Sequence, residues 1–128
     1  KTKRPVKLRM DRDDDIIITG KRHDFYSEYE VGVDELGVIK GLKLKLASRC
    51  GISPDLSQAI NERALLHIDN AYYLENILVE NYLCKTNTSS STAFRGFGGN
   101  QGMMVIENII DRIANSIKKD PAERNGGL

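Results

Sequence analysis

Apolar residues alternate with charged ones over Val6, Leu8 and Met10, and Ile16, Ile17 and Ile18 follow as a short apolar run closed by Thr19 and Gly20. Period-two alternation and β-branched residues predict two strands here, with the acidic cluster Asp13 to Asp15 as the turn between them. The clearest strand runs from Phe25 to Val33. Phe25, Ser27, Tyr29, Val31 and Val33 share one face, and Tyr26, Glu28 and Glu30 share the other. Asp34 to Gly37 make a tight connection, after which Val38, Leu42, Leu44 and Leu46 interleave with Lys43 and Lys45, the pattern of an antiparallel hairpin with one wet face. Strands joined by short turns need no helical crossover, so residues 1–50 read as an antiparallel β unit.

The period changes at Ser53. Ser53 is placed to cap a helix, Pro54 suits the first helical position, and Leu56, Ile60 and Ala64 fall on one face, which predicts a helix over 54–66. Residues 77–84 read as a strand and 87–91 as a polar loop. From Met103 to Lys118 the residues Ile106, Ile109, Ile110, Ile113 and Ile117 recur at helical spacing, with Lys118 and Lys119 at the C-terminal end and Pro121 as a stop. Met103 and Met104 read as core packing on that helix. Strands grouped first and helices later give an α+β fold class, with antiparallel strands in the N-terminal half. Residues 1–128 form a single partial domain, with 122–128 as a truncated or disordered tail. A chain that opens on strand-like alternation without an initiator Met reads as a piece of something longer.

Composition narrows the function classes. The chain has 128 residues, 40% of them hydrophobic and 29% charged, as in a soluble globular protein. No apolar run approaches the ~20 residues of a membrane span. Nineteen Lys and Arg stand against eighteen Asp and Glu, so no global field recruits nucleic acid or anionic lipid. The basic start, Lys1 to Arg9, is largely cancelled by Asp11 and Asp13 to Asp15. Cys50 and Cys84 are the only cysteines, and they read as buried free thiols in a reducing, cytoplasmic setting.

The most unusual window is TAFRGFGGNQG, residues 92–102, where Gly96, Gly98, Gly99 and Gly102 surround Arg95 and Phe97 and lead into the last helix. Glycines allow positive φ and close backbone approach, and a helix start offers amide donors, so an oxyanion or a phosphorylated cofactor fits this window. The glycine spacing is neither that of a P-loop nor that of a dinucleotide fingerprint. The same features suit a non-enzymatic module that binds an anion or a nucleotide at Gly96 to Gly102. In the second window, NERALLHID, Glu62 and Arg63 read as an ion pair and His67 as a satisfied, half-buried histidine, while His23 reads as a loop residue. Ser89 to Ser91 have no nucleophile elbow around them, and no Cys/His cluster has zinc-site spacing.

Read together, ERALLHIDNAYY, CKTN and TAFRGFGGNQGM, in this order and at this spacing, resemble the molybdenum-binding large subunit of the xanthine dehydrogenase and aldehyde oxidase family. The likeness runs from about Arg4 to Pro121. It implies a fragment of a molybdopterin-binding domain and hydroxylation of a purine-like heterocycle or an aldehyde, with water supplying the oxygen. Electrons would leave through iron–sulfur clusters and FAD on other domains or subunits, which become the implied partners together with a small heterocyclic substrate. Carried over by residue, Arg95 stands at the molybdenum cofactor without being a side-chain ligand, and Gly96, Gly98 and Gly99 bind that cofactor. Phe97 packs on a flat substrate ring. Arg63 is the substrate-binding and catalytic residue that stabilises negative charge on the heterocycle, and its presence tilts the reading towards purines. The family's general-base glutamate lies outside the matched region, so Glu62 is not given that role. Asn100 stands where the family often has proline. The fragment alone is expected to be inactive.

Overall fold

The computed structural model describes residues 2–120. In chain order these form α1 (Arg12–Ile18), β1 (Phe25–Val33), β2 (Ile39–Gly51), α2 (Ser57–Leu65), β3 (Ile77–Lys85) and α3 (Gly99–Ser116). The three strands make one sheet in the order β1-β2-β3, so the longest strand is central. β1 and β2 pair antiparallel from Phe25↔Ser48 to Val33↔Ile39. Their connection is fixed by Asp34, whose Oδ1 accepts the amides of Leu36 at 3.0 Å and Val38 at 2.8 Å.

Alternation along β2 decides where the core lies. Leu42, Leu44 and Leu46 are at most 3% exposed while Lys43 and Lys45 face solvent. One face is therefore apolar and must be covered. The apolar stripe of α3 covers it: Ile106, Ile109, Ile110 and Ile113 pack with Ile39 and Leu42, flanked by Tyr29, Val31, Tyr72 and Leu74. Burying such a side chain contributes about 1.5–3 kcal/mol each, which is what holds a helix of this length on the sheet.

Several expectations are corrected. Residues 6–10 form no strand, and 11–18 form a helix instead of a turn and a strand. Asp11 caps it by accepting the Asp14 amide at 2.9 Å, and Asp13, Asp14 and Asp15 occupy its first turn, where the helix dipole favours carboxylates. Local capping thus outweighs the β preference of three isoleucines, because no neighbouring strand is at hand to pair with them. The sheet is mixed, since β3 runs parallel to β2 from Leu42↔Ile77 onward. A parallel partner requires a crossover, and α2 lies within it. Ser53 does not cap α2; Asp55 adopts φ +42°, which breaks the helical run, and the helix starts at Ser57 with Leu56 before it. α3 begins at Gly99, a turn earlier than its apolar stripe suggests. Met103 and Met104 are 37% and 73% exposed; Met104 lies opposite the isoleucine stripe and Met103 at its edge, so neither is part of the core. Cys50 is buried but Cys84 is exposed, because β3 is an edge strand and Cys84 is on its open side. Pro121 and the proposed tail 122–128 lie outside the described residues.

Candidate functional site

The glycine-rich window folds into a left-handed turn that leads into α3. Gly96, Phe97 and Gly98 have φ of +91°, +48° and +93° in succession. Glycine takes such values without penalty, whereas phenylalanine is held there at a cost of about 1–2 kcal/mol. Side chains in this region persist only where their surroundings impose them, and such positions cluster at ligand-binding sites. The turn is closed by the Phe97 amide on the Phe94 carbonyl at 2.8 Å and the Gly99 amide on the Gly96 carbonyl at 3.0 Å.

Its neighbour is α2. A Cβ at Gly98 would run into the carbonyl of Ile60, and one at Gly102 into that of Ala64, so backbone meets backbone where the two helices cross. Gly99 faces the His67 ring, whose Nδ1 is 2.9 Å from the Arg63 carbonyl oxygen. The glycines therefore set the distance between the turn and the stretch of α2 that carries Arg63. That is how residues more than thirty apart in sequence, Arg63 and Arg95 to Phe97, come to belong to adjoining elements.

Both arginines are exposed, and among the described residues neither forms an ion pair. The expected Glu62–Arg63 pair is absent: Glu62 accepts a hydrogen bond from Gln58 Nε2 at 3.0 Å, four residues back along the helix, which is the nearer partner. Arg63 and Arg95 are thus left as two uncompensated guanidiniums, suited to an anionic or charge-accumulating ligand. Phe97 is partly exposed. Among the described residues no group of three or more His, Cys, Asp or Glu side chains could hold a metal ion. The cation, amide and ring chemistry of this turn fits a phosphorylated, ring-bearing cofactor.

Three further polar residues of this region, Ser57, Asn61 and Gln101, escaped the sequence reading, and His23, expected in a loop, lies in one but is buried. His23 is 2% exposed, and its Nε2 is 2.7 Å from the Ser57 hydroxyl. Burial lowers its pKa below the ordinary histidine value, with Asp24, Asp55 and the Thr92 backbone pulling the other way. Asn61, buried on α2, donates to Asn81 Oδ1 at 2.9 Å, and Gln101 donates to the His23 carbonyl at 3.1 Å. The signal was available for two of them. Ser57 and Asn61 share the helical face of Ile60 and Ala64, and polar residues on a buried face need partners.

Comparison with known proteins bears on what this arrangement is. Residues 1–125 match the profile of the family described as the molybdopterin cofactor-binding domain. The chain is 47% identical over 123 residues to the xanthine dehydrogenase/oxidase of Gallus gallus, covering 96% of this chain and 9% of that protein. It is 48% identical over 120 residues to xanthine dehydrogenase 1 of Arabidopsis thaliana, covering 94% of this chain and again 9% of the relative. Among solved structures it superposes on an aldehyde oxidoreductase from Desulfovibrio desulfuricans with a TM-score of 0.75 and 26% identity, over 81% of this chain and 12% of that one. The chain thus spans about a tenth of the length of the relatives it matches.

Proposed function

The chain belongs to the molybdopterin cofactor-binding domain family, and from that premise we propose that it is one wall of the active site of a xanthine dehydrogenase-like molybdenum hydroxylase acting on a purine or related heterocycle. The observation that carries this reading is the left-handed turn Gly96–Phe97–Gly98 held against α2, the helix that carries Arg63, with neither Arg63 nor Arg95 in an ion pair among the described residues. When bound, the molybdenum–pterin group supplies the redox chemistry that hydroxylates a ring carbon with oxygen from water. Iron–sulfur clusters and FAD on other domains or subunits would be the electron acceptors.

The chain's own residues bind and orient. Arg95 and the exposed backbone at Gly96 would hold the cofactor by charge and hydrogen bonding, without a side-chain bond to the metal, while Gly98 and Gly99, buried against α2 and His67, shape the turn that presents them. Phe97 offers a flat apolar face on which a heterocycle stacks. Arg63 stays protonated and presents several donors to negative charge that builds up on the ring as it reacts. One wall cannot exclude water, so the chain works only together with the remainder of the enzyme.

Two measurements test this. The protein that contains this sequence, captured from its source, should be far larger than the 14.3 kDa chain and should contain molybdenum. In that enzyme Arg63→Met should lower xanthine turnover by at least ~10²-fold, the scale of losing one charge-stabilising donor. Unchanged turnover would remove Arg63 from the catalytic role. A free, metal-free chain that binds a phosphorylated ligand in calorimetry would point instead to the anion-binding module.

A further inference from the structure

The residues leading into β1 are tied at every step to the elements that carry the site. The Lys21 carbonyl accepts the Thr92 amide at 2.9 Å, and the Arg22 guanidinium lies 4.5 Å above the Phe94 ring. His23 meets Ser57, the first residue of α2, through its ring, and Gln101, the third residue of α3, through its carbonyl. One buried histidine therefore touches the start of both helices, and its neighbour Arg22 touches the residue before Arg95.

This cluster is polar where an apolar filling would have been simpler. His23 and Ser57 are almost wholly buried, and Arg22 Nη1 and Gln101 Oε1 are buried without a hydrogen-bond partner. Leucine-like packing between these elements would tolerate small slides, whereas directed hydrogen bonds permit one arrangement. A slide here would move Arg63 on α2 relative to Phe97 in the turn.

We propose that His23, Ser57 and Gln101 are positioning residues that hold the Arg95–Phe97 turn in fixed register with Arg63, an inference that rests on the reading of the site given above. None of the three touches substrate; each acts through the element it anchors. The glycine contacts set how closely α2 and α3 approach, and the polar cluster sets where along each other they stop.

The test uses the complete enzyme with Gln101→Met, His23→Leu and His23→Gln. Gln101→Met and His23→Leu should speed amide exchange at Phe97 and Gly99 by about ten-fold while leaving β2 amides unchanged. They should raise KM for xanthine by about ten-fold with a smaller change in kcat and unaltered molybdenum content. His23→Gln places a nitrogen near the position of Nε2 and should restore both values to within about two-fold. Should His23→Leu fail to accumulate, Gln101→Met decides, since Gln101 is only partly buried and Met nearly matches its volume. Wild-type exchange and KM in Gln101→Met would overturn the proposal, as would equal acceleration throughout β2, which marks a role in stability alone. A wild-type enzyme without molybdenum or xanthine turnover would overturn the reading of the site itself, and the positioning role with it.

Discussion

Gly98 is the residue on which the most geometry depends, because it needs both a positive φ and the absence of a side chain. Gly98→Ala forces a Cβ against the Ile60 carbonyl at φ +93°. It should cost at least about 2 kcal/mol, read as a lowered midpoint in urea denaturation of the chain. The glycine run and the two arginines were legible in the sequence because such residues are conspicuous one at a time. The contact between Gly98 and Ile60 was not, since it exists only once α2 and α3 cross. The burial of His23 was missed for a similar reason, although its place in a loop was not. Nothing in the string KRHDF says that its ring meets a residue 34 positions further on and its carbonyl one 78 positions further on.

At the scale of elements, β1, β2 and α3 follow the periods that predict them, because each turns one face to the core and one to solvent, whereas β3 is marked by its β-forming residues alone and has no fully buried face. α1 departs because its stability is local. Asp11→Ala removes its cap and should destabilise that helix by about 1 kcal/mol, seen as faster amide exchange over 14–18 with β2 unaffected. α3 is the opposite case, held by tertiary burial. Ile109, fully buried in the layer between α3 and the sheet, should cost about 2–5 kcal/mol as Ile109→Ala by the same denaturation measurement. The parallel sense of β3 was beyond the sequence reading, since a strand's own pattern does not state which way its neighbour runs.

For the molecule as a whole, buried ionisable groups make stability depend on pH. The folded chain binds a proton at His23 less readily than the unfolded chain, whose histidine titrates near 6.5. Between those two values the unfolded state holds more protons, so stability is complete above about 6.5 and declines as pH falls through the folded value. Thermal midpoints should accordingly drop between about pH 8 and pH 5, and the drop should shrink in His23→Gln. Asp34 acts in the same sense at lower pH: the Val38 amide, with Lys40 and Leu36, holds its carboxyl below the ordinary 3.8, so its contribution is lost on further acidification. The surface carries a second molecular property. Ile16, Ile17, Ile18, Val6 and Leu8 are all more than half exposed, and the isolated chain should therefore self-associate in sedimentation runs at rising concentration.

The crossover between β2 and β3 also dictates an order of events. β1 and β2 close over a five-residue connection and can pair as soon as both are synthesised, whereas β3 can join only after the intervening stretch has wound into α2 and folded back. Long-range parallel pairing is slow, because the loop must be closed before any contact rewards it. The Gly98 turn comes later still, since it is shaped against a finished α2. The turn consequently takes its shape no earlier than α2.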